Sequence, residues 1–154
     1  MIGGAKLKEL SRHVIRGLDY DLIGNSSVDV RLGDNFQGFE SDSQEPMDLF
    51  GPSDQKLARL YRILPEEDDT ITLRPGQFIL AETQEFFTLP KNVSAMFSLR
   101  SRLARAGLQQ AVSVWARPEW SGHLVLELSN DAPYPLRLKV GMPIGQMHFF
   151  NVNG

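Results

Sequence analysis

The chain has 154 residues, 16 Lys+Arg against 19 Asp+Glu for a formal net charge of −3, 42% hydrophobic and 23% charged residues, and no cysteine. That size predicts one domain over residues 1–154, enough to bury roughly two thirds of the unfolded surface in one core, with the composition of an ordinary globular protein and not of a disordered tail. The charge gives no general attraction to nucleic acid or acidic lipid, and the cysteine inventory excludes disulfides, thiolate nucleophiles and thiolate-bound zinc.

The N-terminal stretch MIGGAKLKELSRHVIRG carries charge throughout and no apolar run, so neither a signal peptide nor a membrane anchor is expected, and the cytoplasm is the expected location. Leu7, Leu10, Val14 and Ile15 fall at helical spacing, with Lys6, Lys8, Glu9 and Arg12 on the other side. They predict an amphipathic helix ended by Gly17 and packed on a sheet. Val28, Val30 and Leu32 alternate with Asp29 and Arg31 as in a half-buried strand. Residues 34–55 are rich in Gly, Ser, Asp and Pro and predict a long surface excursion. In residues 56–64 the spacing of Leu57, Leu60 and Leu64 predicts a short helix limited by Pro65. From Thr70 onward short β-like runs follow one another with turn signals between them: TITL, FILAET, FFTL, VSAMFSL, HLVLELSN, PLRLKV and PIGQMHFF. Their spacing predicts a mainly β barrel or sandwich. RSRLARAG interrupts them as one or two helical turns over residues 101–106 ending at Gly107.

The motifs SSVDVRLGDNF, ITLRPGQFILAET, LRSRLARAGL, PEWSGHLVLELSN and PLRLKVGMPIGQMHF, in that order over nearly the whole chain, resemble the dCTP deaminase branch of the dUTPase-like superfamily. Singly these motifs are short; their joint order and spacing carry the resemblance. It implies a distorted β-barrel or jelly-roll, a homotrimer with active sites at subunit interfaces, and a deoxynucleoside triphosphate as substrate, accompanied by Mg²⁺.

Hydrolytic deamination at C4 of a cytosine needs a base to activate water, a donor for the developing tetrahedral centre, and a proton for the departing amine. Zinc deaminases draw on a His/Cys/Cys set. This chain has no cysteine, and His13, His123 and His148 show no ligand spacing, so the expected route uses no zinc and no protein-bound metal. The resemblance places Ser101, Arg105 and Glu127 as the catalytic set. It gives phosphate contact to Arg100, a sugar-pocket wall to Trp120 and an approach to the phosphates to Gln146, while Arg102 joins Arg100 in holding phosphates. Two readings of Glu127 stand on residues alone. Burial of the run 124–128 would bring a carboxylate beside a cation in a low-dielectric region, or Leu124, Leu126 and Leu128 face inward and Glu127 is solvated. For the arginines the plain reading is an exposed basic helix face. A nucleic-acid patch with Arg117, Arg137 and Lys139 would lack an aromatic stacking platform, so no nucleic acid and no membrane partner is expected.

The sequence departs from the family pattern in places. Leu99-Arg100-Ser101-Arg102-Leu103-Ala104-Arg105 stands where Gly-Arg-Ser-Ser-Leu-x-Arg is usual. Arg117-Pro118-Glu119-Trp120 stands where Asp-Pro-Gly-Trp is usual. The stretch 109–115 is about one residue short, and the closing tail of the family is not expected after Gly154. Arg117 cannot accept a hydrogen bond from a hydroxyl. Besides deamination, two alternatives therefore remain on sequence: a catalytically degenerate nucleotide-binding or regulatory module, and a dUTP diphosphatase, which Arg117 disfavours.

Overall fold

The computed structural model describes residues 1–40, 45–51, 59–111 and 114–153. Alternating apolar side chains make strands of nearly half of these. In chain order the elements are α1 (Gly4–Val14), β1 (Ile15–Arg16), β2 (Val28–Arg31), β3 (Phe36–Phe39), β4 (Leu60–Ile63), β5 (Thr70–Leu73), β6 (Phe78–Thr88), β7 (Val93–Leu99), α2 (Ser101–Arg105), β8 (Leu108–Gln110), β9 (Val114–Ala116), β10 (Ser121–Asn130), β11 (Leu136–Lys139) and β12 (Pro143–Asn151). The fold is mainly β with an N-terminal helix and a short inserted one, as expected. Its strands are divided among three sheets that do not close into one barrel. One runs β4-β3-β6-β10-β8 with β1 also on β6, a second runs β2-β12-β7-β9, and β11 pairs with β5. Burial of Val28, Val30, Ala95, Met147 and Phe149 from the second sheet, and of Phe36, Ile79, Phe87, Leu126 and Leu128 from the first, forms a shared core. Removing this apolar surface from water is the main force holding the sheets together.

Helix α1 buries Leu7, Ser11 and Val14, and the Ser11 hydroxyl satisfies itself by donating to the Leu7 carbonyl at 2.6 Å. The helix stops before Gly17: Ile15 is already extended (φ −116, ψ 116) and pairs with Phe87. Ladder hydrogen bonds to β6 thus end the helix two residues earlier than the glycine predicted. The helix expected over residues 56–64 is also corrected. Residues 52–58 lie outside the described ones, and Leu60–Ile63 is a strand whose residues pair with Phe39 to Phe36. Pairing along the whole of β3 outweighs a three-leucine helical spacing. The runs FILAET and FFTL merge into the single strand β6, and β8 and β9 occupy a stretch for which no elements were predicted.

Strand β6 bulges where it faces β10. His123 lies opposite Phe86, yet Val125 lies opposite Glu82, so residues 83–85 of β6 stand against Leu124 alone and β6 carries two extra residues. The bulge is held from both sides. Thr83 Oγ1 accepts from the Leu124 amide at 3.0 Å and donates to the Glu85 carbonyl at 2.9 Å. The Glu85 side chain, only 2% exposed, accepts from the Arg31 amide at 2.9 Å and from Arg31 Nε at 2.8 Å. Arg31 also donates through Nη2 to the Gly17 carbonyl at 2.8 Å. One buried carboxylate therefore ties the second sheet and the turn after α1 to the bulge.

Candidate active site

Strand β10 alternates as its sequence dictates. Leu124, Leu126 and Leu128 are buried, while His123, Val125 and Glu127 share the opposite face. Glu127 is therefore not inside the core; it is half-buried on the outer face of the six-stranded sheet. Its backbone is fixed on both sides, the amide donating to Gln110 Oε1 at 3.0 Å and the carbonyl accepting from the Ala111 amide at 2.9 Å.

Residues 117–120 make a tight turn in which the Trp120 amide donates to the Arg117 carbonyl at 3.1 Å. Pro118 occupies the second position and Glu119 the third, with φ 67. Proline there and a left-handed residue next are the signature of a type II turn. The turn delivers Trp120 beside β10. The indole stacks on Phe87 at 6.3 Å between ring centroids, and the Trp120 carbonyl accepts from the Leu89 amide at 2.9 Å. Together Val114–Ala116, Trp120, residues 121–125 and Glu127 line an open cavity of about 320 Å³. Two of the expected site residues, Glu127 and Trp120, thus meet in one place.

The remaining expected residues gather elsewhere. The Arg100 amide donates to the Ile144 carbonyl at 3.1 Å, and the Arg100 carbonyl accepts from the amides of Leu103 and Ala104 at 3.0 Å, starting α2. Arg100 is half-buried; Ser101, Arg102 and Arg105 are exposed. Gly145 lies opposite Leu99, and Gln146 lies between Asp29 and Ser98 across the second sheet. Arg100, Ser101, Arg102, Arg105 and Gln146 therefore occupy the junction of β7, α2 and β12. Asp29, between buried Val28 and Val30, faces outward in the same row as Gln146. Among the described residues no hydrogen bond or ion pair joins the Glu127 carboxylate to Ser101 or Arg105. Nor do they include a group of three or more His, Asp or Glu gathered to hold a metal ion, and no helix among them is long and apolar enough to cross a membrane.

Two residues escaped the sequence reading. Gln110, from β8, anchors the Glu127 backbone, and His123 shares both the outer face of β10 and the cavity. The period-two pattern already put His123 on the face of Glu127, but its hydrogen bonds depend on a bulge in a strand some 40 residues away.

The chain is similar to known proteins over most of its length. Residues 3–152 match the model of the dCTP deaminase-like family. A dCTP deaminase of Tolumonas auensis is 37% identical over 142 residues, 88% of this chain and 74% of the relative; that of Shewanella amazonensis is 39% identical over 140 residues, 87% and 72%. Among solved structures, the 2'-deoxycytidine 5'-triphosphate deaminase of Agrobacterium tumefaciens superposes with a TM-score of 0.73 at 20% identity, over 99% of this chain and 48% of that one. The chain thus spans about half the length of that protein, and the likeness speaks for the fold. A dUTPase of Staphylococcus bacteriophage 80alpha, bound to dUpNHpp, aligns over 55% of the chain with a TM-score of 0.50. With a family match over nearly its whole length and close relatives in sequence, this chain belongs to the dCTP deaminase-like family.

Proposed function

We propose that the protein hydrolyses the exocyclic amine of dCTP, or of a closely related deoxycytidine nucleotide, to give the uracil nucleotide and ammonia. The observation that carries this reading is Glu127, half-buried on the wall of an open cavity that Trp120 also lines, its own backbone clamped by Gln110 and Ala111. A base held on a rigid strand meets the geometric demand of proton abstraction.

In this reading Glu127 takes a proton from water as the oxygen adds to C4, and the proton passes to the ring nitrogen. The tetrahedral centre then collapses to the carbonyl as the new C4 hydroxyl gives up its proton, which Glu127 passes to the amine, and the C4–N bond breaks to release ammonia. Ser101 and Arg105 orient the attacking water, with Arg105 opposing the developing negative charge. Arg100 and Arg102 hold the phosphates with Gln146 near them, and Trp120 packs against the sugar. The triphosphate arrives as its Mg²⁺ complex, so the cation belongs to the substrate. Because no hydrogen bond or ion pair among the described residues joins the Glu127 carboxylate to Ser101 or Arg105, the reading takes the arginine-bearing helix from a second copy, as in the homotrimer that the resemblance implies.

The test is ammonia release from dCTP by Glu127→Gln. A base contributes about 10²–10⁴-fold to such a step, so the variant should lose at least a hundredfold in rate with an unaltered melting transition. Ammonia release at the parental rate would overturn the reading.

A further inference from the structure

His123 sits four residues from Glu127 on the same face of β10, with Val125, 48% exposed, between them. At about 3.3 Å per residue the two ends are roughly 13 Å apart along the strand, long enough for a pyrimidine nucleoside to lie between them over an apolar floor. All three residues line the cavity that holds Trp120.

The hydrogen bonds of the imidazole determine what it offers that cavity. Its Nδ1 lies 3.0 Å from the Thr83 carbonyl and 3.1 Å from the Glu85 carbonyl. Carbonyl oxygens only accept, so Nδ1 carries the hydrogen and, in the neutral ring, Nε2 carries a lone pair. The ring is steadied by the edge of Phe86 at 5.2 Å and 87°, itself covered by the Arg16 guanidinium at 4.7 Å. Among the described residues no donor is bonded to Nε2.

Resting on the reading of the cavity given above, we infer that His123 Nε2 accepts a hydrogen bond from the sugar hydroxyl of the bound deoxynucleotide, which makes His123 a specificity-determining residue. A deoxycytidine nucleotide offers neutral donors at two places, the exocyclic amine and the sugar hydroxyl; its phosphates only accept. Glu127 engages the end of the ring that bears the amine, leaving the hydroxyl for the far end of the row. Arg117, in the adjoining turn, cannot take this part, because a guanidinium has no acceptor.

The experiment compares dCTP with 2',3'-dideoxy-CTP, by ammonia release and by calorimetric binding, for the parent, His123→Asn and His123→Gln. Asparagine keeps an N–H near the position of Nδ1, so the bulge carbonyls stay bonded while the distal acceptor is lost. Glutamine keeps an acceptor near the position of Nε2. The parent should favour dCTP by about tenfold or more in kcat/KM and in affinity. In His123→Asn that ratio should fall toward one, through a loss on dCTP alone, whereas His123→Gln should retain part of it. A merely structural histidine would weaken both nucleotides equally. A parental ratio near one, an undiminished ratio in His123→Asn, or no binding of either nucleotide overturns the inference. Discrimination in binding that disappears in His123→Asn, without ammonia from any nucleotide, sustains the hydroxyl contact while the deaminase reading falls.

Discussion

Glu119 is the non-glycine residue that the turn at 117–120 requires to adopt φ 67, and its replacement by glycine measures what that conformation costs. A side chain in the left-handed region costs about 1–2 kcal/mol because Cβ crowds the following carbonyl. Glycine removes that penalty but loses about 0.5–1 kcal/mol more backbone entropy on folding. The carboxylate is exposed and makes no hydrogen bond or ion pair among the described residues, so little else is lost. The net expectation for Glu119→Gly is a gain of about 0.5–1 kcal/mol, which for a chain of this size raises Tm by roughly 1–4 °C. Glu119→Ala keeps Cβ and removes only the charge, so its Tm should match the parent. Scanning calorimetry at constant protein concentration reads all three proteins. A Tm for Glu119→Gly at or below the parent, or an equal rise in Glu119→Ala, would refute the assignment of strain to this turn.

Two further substitutions test how the site is supported. Gly107→Ala, at φ 107, would set its Cβ 2.6 Å from Ala132 Cβ and 2.9 Å from the Ala132 amide nitrogen, where α2 ends and the Gly107 carbonyl accepts from Asp131. Strain and overpacking together should cost about 2–3 kcal/mol, and a denaturant titration with an unchanged midpoint would contradict that packing. Glu85→Ala would leave Arg31 without the carboxylate that pairs its amide and its Nε. The expected loss is about 3 kcal/mol, or roughly 6–12 °C in Tm; a fall of less than about 2 °C would mean that water replaces the pair without penalty.

How much could be read beforehand follows from where each residue's partners lie. Strands β7, β10, β11 and β12 were legible because burial on one face writes itself as alternation, and α2 because its helix-forming run stops at a glycine. The register of β10 likewise put Leu124, Leu126 and Leu128 inward, leaving Glu127 on the outer face. Strand β4 was misread because Leu57, Leu60 and Leu64 also satisfy a helical spacing; only pairing with β3 decides between the periods, and a single segment does not announce its partner. Strand β6 read as two runs because Gln84 and Glu85 break the apolar pattern. Glu85 is nonetheless buried, matched by an arginine 54 residues away.

The same physics explains why the site was only half visible. Glu127 and Trp120 are close in sequence and meet on adjoining segments, so motif order was enough to bring them together. His123 had the right face but no visible chemistry, since a strand histidine becomes an oriented acceptor only when two carbonyls of a distant bulge fix its hydrogen on Nδ1. Residues of α2 and Gln146 were brought together by the backbone at the junction of β7 and β12, whereas Glu127 and Trp120 line a cavity walled by β10 of the first sheet and β9 of the second. Among the described residues no hydrogen bond or ion pair joins the Glu127 carboxylate to Ser101 or Arg105, so the proposed reaction calls for a further contact to bring base and cations together. In the proposed function that contact comes from a second copy, a relation that neither strand alternation nor motif spacing within a single sequence encodes.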